Sequence, residues 1–164
     1  DVISTSEHFL FVYPSSSLAP KVLHFKGMAY YQQLVDTERD QSLSEKAKGS
    51  FENLVQNFPN SSYAQDASRK LVYINTILAA KELEIGRFYL NRSNYPAAIN
   101  RFKVVLHLYD TTEVIPETLY RMVESYYALH LYCRAQQYNK ILVKNFPNSL
   151  WSQRSQSLIS SIKR

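Results

Sequence analysis

Apolar positions along this chain recur at helical spacing. Between 62 and 91, Tyr63, Ala67, Leu71, Ile74, Leu78, Leu83, Ile85 and Phe88 keep an approximately helical apolar period, no proline interrupts them, and Gly86 is the only glycine. This predicts one helix over 62–91. At ~1.5 Å per residue it would reach about 45 Å, longer than one hairpin needs, so it is expected to bridge two repeating units. Shorter apolar segments end four times in an aromatic anchor: Tyr13-Pro14, Phe58-Pro59, Tyr109-Asp110 and Phe146-Pro147. Each anchor follows an apolar pair (Phe9-Leu10, Leu54-Val55, Val105-Leu106, Leu142-Val143), and a bulky residue follows five positions later (Leu18, Tyr63, Val114, Trp151). The anchors lie 45, 51 and 37 residues apart. The chain therefore repeats a unit of supersecondary structure.

Helix-start signals fall in the same frame. Ser42-x-x-Glu45 reads as a capping box that opens a helix over 43–57. Ser61 or Ser62, Thr111 or Thr112, and Asn148 or Ser149 stand where caps belong after the anchors. Asn94 with Pro96 is another start, because proline gives up only an N–H that would have no partner there.

Ile85-Gly86-x-x-Tyr89 followed by Ala98-x-x-x-Phe102 is similar to the tetratricopeptide spacing. In that spacing small residues let two helices approach while aromatic residues fill the space beside them. Met122-x-x-x-Tyr126 with Ala135 and Pro147 repeats most of it. Gly27-x-x-Tyr30 with Ala47-x-x-x-Phe51 repeats it again, but 20 residues separate Gly27 from Ala47 where 12 separate Gly86 from Ala98. The extra residues are read as a polar surface loop near 35–43. The expected fold is all-α: tetratricopeptide-like antiparallel hairpins stacked in a right-handed superhelix, an α-solenoid, with 1–164 forming one domain of about three to four repeats.

Composition supports this picture. With 45% hydrophobic, 20% charged and 13% aromatic residues, the chain is too apolar for a disordered segment. Three glycines are too few for the tight turns of a β-rich fold. The net charge of +5 favours acidic partners, yet neighbouring charges are mixed, and Lys163-Arg164 is the locally unopposed pair. The single Cys133 forms no intrachain disulfide and is expected to be a small buried hydrophobe. No apolar run approaches the ~20 residues that span a bilayer.

The chemistry-bearing motifs of enzymes are not present. Glycines at 27, 49 and 86 make no phosphate-cradling loop, His8, His24, His107 and His130 lack metal-ligand spacing, and no serine has a G-x-S-x-G setting. No catalysis, metal or cofactor is expected. Most aromatic residues occupy repeat positions and read as packing, but Tyr31, Tyr127 and Tyr132 are less committed. Those three could line a groove for an extended peptide.

Beyond the generic repeat, particular strings resemble one family. Arg39-Asp40-Gln41 through Ala47, then Phe51-x-x-Leu54-Val55-x-x-Phe58-Pro59-Asn60-Ser61-x-Tyr63-x-x-Asp66-Ala67 and Arg69-Lys70-Leu71-Val72-Tyr73-Ile74, resemble a repeat of the BamD family, also called ComL or YfiO. Glu84-x-x-x-Phe88-Tyr89 and Tyr95-x-Ala97-Ala98-Ile99-Asn100-Arg101 resemble its next repeat. The resemblance covers the C-terminal two thirds of the family pattern. It implies a periplasmic scaffold, lipid-anchored at the outer membrane of a Gram-negative bacterium. The scaffold would dock on the POTRA domains of BamA beside other assembly-machine lipoproteins and help unfolded outer-membrane proteins insert. It further implies a partner-binding surface of Arg92, Tyr95, Asn100, Arg101 and Lys103, with no nucleic acid bound and the membrane reached only through an N-terminal lipid. The family pattern often has glycine where Ser93 follows Arg92. Arg101→Glu is expected to weaken BamA binding without unfolding the chain. The rival reading from the charge is a cytosolic helical-repeat module that binds nucleic acid, recognisable by a steep salt dependence.

Overall fold

The computed structural model describes residues 2–36 and 41–161, which hold eight helices and no strand. These are α1 (Val2–Val12), α2 (Ala19–Asp36), α3 (Gln41–Asn57), α4 (Ser62–Asn91), α5 (Tyr95–Leu108), α6 (Ile115–Ala128), α7 (Tyr132–Asn145) and α8 (Leu150–Ser160). The helix expected over 62–91 is α4, unbroken from end to end. Every aromatic anchor is the residue that follows a helix. Tyr13, Phe58, Tyr109 and Phe146 each donate their backbone N–H to the carbonyl four residues back, and their own carbonyls accept from Ser16, Ser61, Thr112 and Ser149. One local solution is thus used four times to leave a helix and enter the next, which is why the sequence period was visible.

The caps are less uniform. Ser149 accepts from the Ser152 N–H at 3.1 Å and Asn94 from Ala97 at 3.4 Å, as their positions suggested. The expected cap at Thr111 or Thr112 is not formed. Instead α6 starts from Val114 without a side-chain cap, its Pro116 removes one orphan donor, and the Thr112 hydroxyl donates to the Tyr109 carbonyl at 2.7 Å. α3 begins at Gln41, so Ser42 lies inside its first turn and does not precede it. The polar loop read near 35–43 is helical at both ends; its centre, 37–40, lies outside the described residues.

The chain divides into two compact units, Asp1–Leu78 and Ala79–Arg164, with the division falling inside α4. In the first unit, α2, α3 and the first half of α4 bury Leu23, Tyr30, Ala47, Phe51, Leu54, Ala67 and Ile74. A Cβ placed on Gly27 would come 2.5 Å from the Phe51 ring, so the close helix approach depends on glycine there. His24 on α2 meets Asp66 on α4 at 2.8 Å, and that contact holds the Asp66 carboxyl below its ordinary range.

The second unit is built around Leu83, Ala98, Phe102, Val105, Leu119, Met122, Val123, Ala135 and Leu142. Gly86 repeats the role of Gly27, since a Cβ there would lie 2.6 Å from Cδ1 of Phe102. α8 closes on α7 through small residues: Ser152 donates to the Phe146 carbonyl at 2.6 Å and Ser155 to Asn139 at 2.7 Å. Cys133, expected to be buried, is exposed. At 100° per residue it stands on the opposite side of α7 from the buried Ala135 and Leu142.

Candidate partner-binding surface

The turn between α4 and α5 is set by local chemistry. α4 ends at Asn91; the Arg92 and Asn94 N–H groups both return to the Tyr89 carbonyl, and Ser93 takes a left-handed φ of 58°. Glycine adopts that conformation without strain, which accounts for its frequent use after the basic residue. Arg92 lies over the exposed Phe88 ring, 3.8 Å from its centroid, which fixes the direction of its guanidinium.

The five residues expected to form one surface separate into three groups. Arg92 and the half-buried Tyr95 sit at the turn. Asn100 and Lys103 lie on the solvent face of α5, opposite the buried Ala98, Ile99, Phe102 and Val105. Arg101 turns back toward α4 and pairs with Glu82 at 3.1 Å. The Glu82 side chain is 9% exposed and that of Arg101 43%, so the pair straddles the boundary of the core. Along the sequence Glu82 stands between Lys81 and Glu84 and looks like one of a run of mixed charges. The signal that would have found it is its place on the buried stripe of α4 with Leu78 and Gly86, four residues to either side. A carboxylate on such a stripe needs a cation. Charge reversal at Arg101 would therefore disturb the fold as well as any interface.

The tyrosines of the expected groove also separate. Tyr127 and Tyr132 meet edge to face at 5.6 Å, with Tyr127 hydrogen-bonded to Ser161 at 3.0 Å and Tyr132 to His130 at 2.8 Å. Tyr31 belongs to the first unit, where it packs on Phe51 and Tyr73 with the Lys70 ammonium 5.0 Å from its ring. Burial, with Tyr73 and Asp66 nearby, raises its hydroxyl above the ordinary tyrosine value.

A second polar network escaped the sequence reading. Arg87 and Arg121 share Glu117, and Arg121 reaches Glu124 at 2.7 Å. Burial alone would lower the Arg121 guanidinium, but Glu124 and then Glu117 hold it above its usual value. The rings of Tyr120 and of Trp151 from α8 lie beside it, and Arg154, three residues after Trp151 on the same helix, lies 5.1 Å from the Trp151 ring. The Glu117–Arg121–Glu124 part follows i,i+4 and i,i+3 spacing on α6, whereas spacing along the chain does not bring in Arg87 from α4 or Trp151 from α8. No group of three or more His, Cys, Asp or Glu side chains suited to a metal ion occurs among the described residues.

Residues 1–142 match the family model described as "YfiO: Outer membrane lipoprotein". The outer membrane protein assembly factor BamD of Rickettsia prowazekii (strain Madrid E) is 43% identical over 143 residues, covering 87% of this chain and 57% of that protein. The factor of the same name from Caulobacter vibrioides is 38% identical over 151 residues, covering 92% of this chain and 50% of its own length. That of Pasteurella multocida is 37% identical over 136 residues, or 77% of this chain and 52% of the relative. The chain spans about half the length of these curated relatives.

Proposed function

The chain belongs to the YfiO family of outer-membrane lipoproteins, and on that premise we propose that it is a non-catalytic scaffold of outer-membrane protein assembly that docks on the POTRA domains of BamA. Its relatives are named as assembly factors. The reading places the whole protein on the periplasmic face of the outer membrane, lipid-anchored, beside the machine's other lipoproteins. The observation that carries it is Arg92: an exposed guanidinium held on an exposed phenylalanine at the α4–α5 turn. Such a group suits bidentate capture of a partner carboxylate. Tyr95 beside it, and Asn100 and Lys103 along α5, extend the polar surface, while Arg101 contributes through its exposed portion.

Calorimetric titration with purified BamA POTRA domains tests this. Arg92→Glu and Lys103→Glu are expected to weaken binding by about tenfold or more together, with helicity unchanged, since truncating an interface arginine commonly removes ~2 kcal/mol. Unchanged affinity would remove this surface from the interface, and a steeply salt-dependent signal with nucleic acid in the same assay would favour the nucleic-acid reading. A second role as a receptor for unfolded outer-membrane-protein segments draws support from the half-exposed Tyr127–Tyr132 pair. Tyr31, already packed among Phe51, Tyr73 and Lys70, adds little to it.

A further inference from the structure

The positive charge of this chain is not spread along it. All 14 acidic residues lie at or before Glu124, where 13 basic residues leave that stretch at −1; the last 40 residues hold the other six of the 19, Arg134, Lys140, Lys144, Arg154, Lys163 and Arg164, and no acid at all. Reading each cation against its immediate neighbours hides this asymmetry. The fold then concentrates it. On α7, the exposed residues Cys133, Arg134, Gln137, Lys140, Ile141 and Lys144 fall within one arc of about 120° at 100° per residue, opposite the buried Ala135 and Leu142. On α8, Arg154 is exposed and stacks on Trp151.

A second observation comes from the start of α7. The equivalent residue of the preceding hairpin, 37 positions earlier, is Asn94, which caps α5 with its side chain. Here the cap position holds Leu131, which makes no side-chain cap bond and is 49% exposed. Local stability is forgone for an aliphatic side chain in water, the kind of broken rule that marks a functional surface. Ile141, 44% exposed among the cations, adds a second aliphatic contact.

We propose that the solvent face of α7, with Leu131 at its start, docks on anionic phospholipid headgroups, giving the protein a membrane contact of its own in addition to any lipid anchor. Lys140 and Lys144 offer ammonium point charges, and Arg134 beside them a donor fork, and both kinds of group suit phosphate oxygens. Cations interspersed with exposed aliphatic residues match the boundary between headgroups and hydrocarbon. This inference is independent of the POTRA reading.

Cys133, the only cysteine in the chain, lies on the same arc and takes an environment-sensitive fluorophore at one place. The labelled chain is titrated with phosphatidylcholine vesicles with and without phosphatidylglycerol. Binding and a blue shift are expected only with phosphatidylglycerol, and both fade as salt rises past ~0.15 M. Lys140→Gln with Lys144→Gln is expected to weaken binding roughly tenfold to thirtyfold. Lys21→Gln with Arg69→Gln, exposed residues of the first unit, removes the same charge and should cost less than about threefold. Absence of vesicle binding would overturn the proposal and leave an acidic protein as the partner. So would equal binding to neutral vesicles, or equal losses in the two double variants.

Discussion

The α4–α5 and α6–α7 hairpins are the same structure offset by 37 residues, and they fill the same space with different chemistry. Both turn through a left-handed residue, Ser93 and His130, each with φ 58°. In the first, Gly86 leaves room that the Phe102 ring occupies. The equivalent residues in the second are Val123, fully buried, and Asn139, which pairs with Ser155 of α8. In the first, Glu82 and Arg101 form an ion pair between the helices; the equivalents are Leu119, buried, and Tyr138, stacked on Tyr126 at 5.5 Å. In the second hairpin Asn139 and Tyr138 meet Ser155 and Tyr126. The repeat therefore conserves a backbone, and in the first hairpin the residues that fill one space are free to change only together.

The largest test of that statement is Phe102→Ala, expected to cost about 3–5 kcal/mol by urea unfolding, against about 1 for Asn139→Ala in the second hairpin. Gly86→Val alone should cost roughly 2–3 kcal/mol, yet combined with Phe102→Ala it should recover at least ~1, because the new side chain enters the vacated space. Strict additivity would show that the two positions do not share a volume. Next, Arg101→Glu should cost about 1–3 kcal/mol, since it leaves the nearly buried Glu82 facing another carboxylate, moderated by the exposure of Arg101. The graft Glu82→Leu with Arg101→Tyr, copied from the second hairpin, should be neutral or stabilising. A graft as damaging as the single reversal would refute the equivalence. Leu131→Asn should restore a cap like Asn94 and add about 0.5–1 kcal/mol to stability while weakening vesicle binding. Smallest of all, Ser93→Gly and His130→Gly should each shift stability by less than about 1 kcal/mol, toward greater stability, as relief of left-handed strain slightly exceeds the added freedom of the unfolded chain. Thermal unfolding of the two variants side by side would read this, and opposite signs would show that the turns are not alike.

The element pattern was legible because each helix boundary is decided locally. An aromatic residue after a helix, a proline or polar residue next, and a return to apolar spacing describe the same turn at 13, 58, 109 and 146. The long α4 was legible for the same reason, since no breaker lies within it. The close approaches at Gly27 and Gly86 followed from their spacing to Phe51 and Phe102. The candidate surface was less legible. Arg92, Tyr95, Asn100, Arg101 and Lys103 are near neighbours in sequence, but a helix turns 100° per residue, so Arg101 faces α4 while Asn100 faces water.

What the sequence determined by itself is thus the helical class, the repeat, the turns and the paired small and aromatic positions, all of which depend on residues within a few turns of one another. Which side chain meets which across separate helices was decided by tertiary structure: Arg101 on Glu82, Tyr31 among Phe51, Tyr73 and Lys70, and Arg87 of α4 on Glu117 of α6; so was the exposure of Cys133 on the cationic face of α7. The physical reason is range. Backbone hydrogen bonding and helical periodicity act along the chain, whereas burial and ion pairing act on whatever the packed helices bring together.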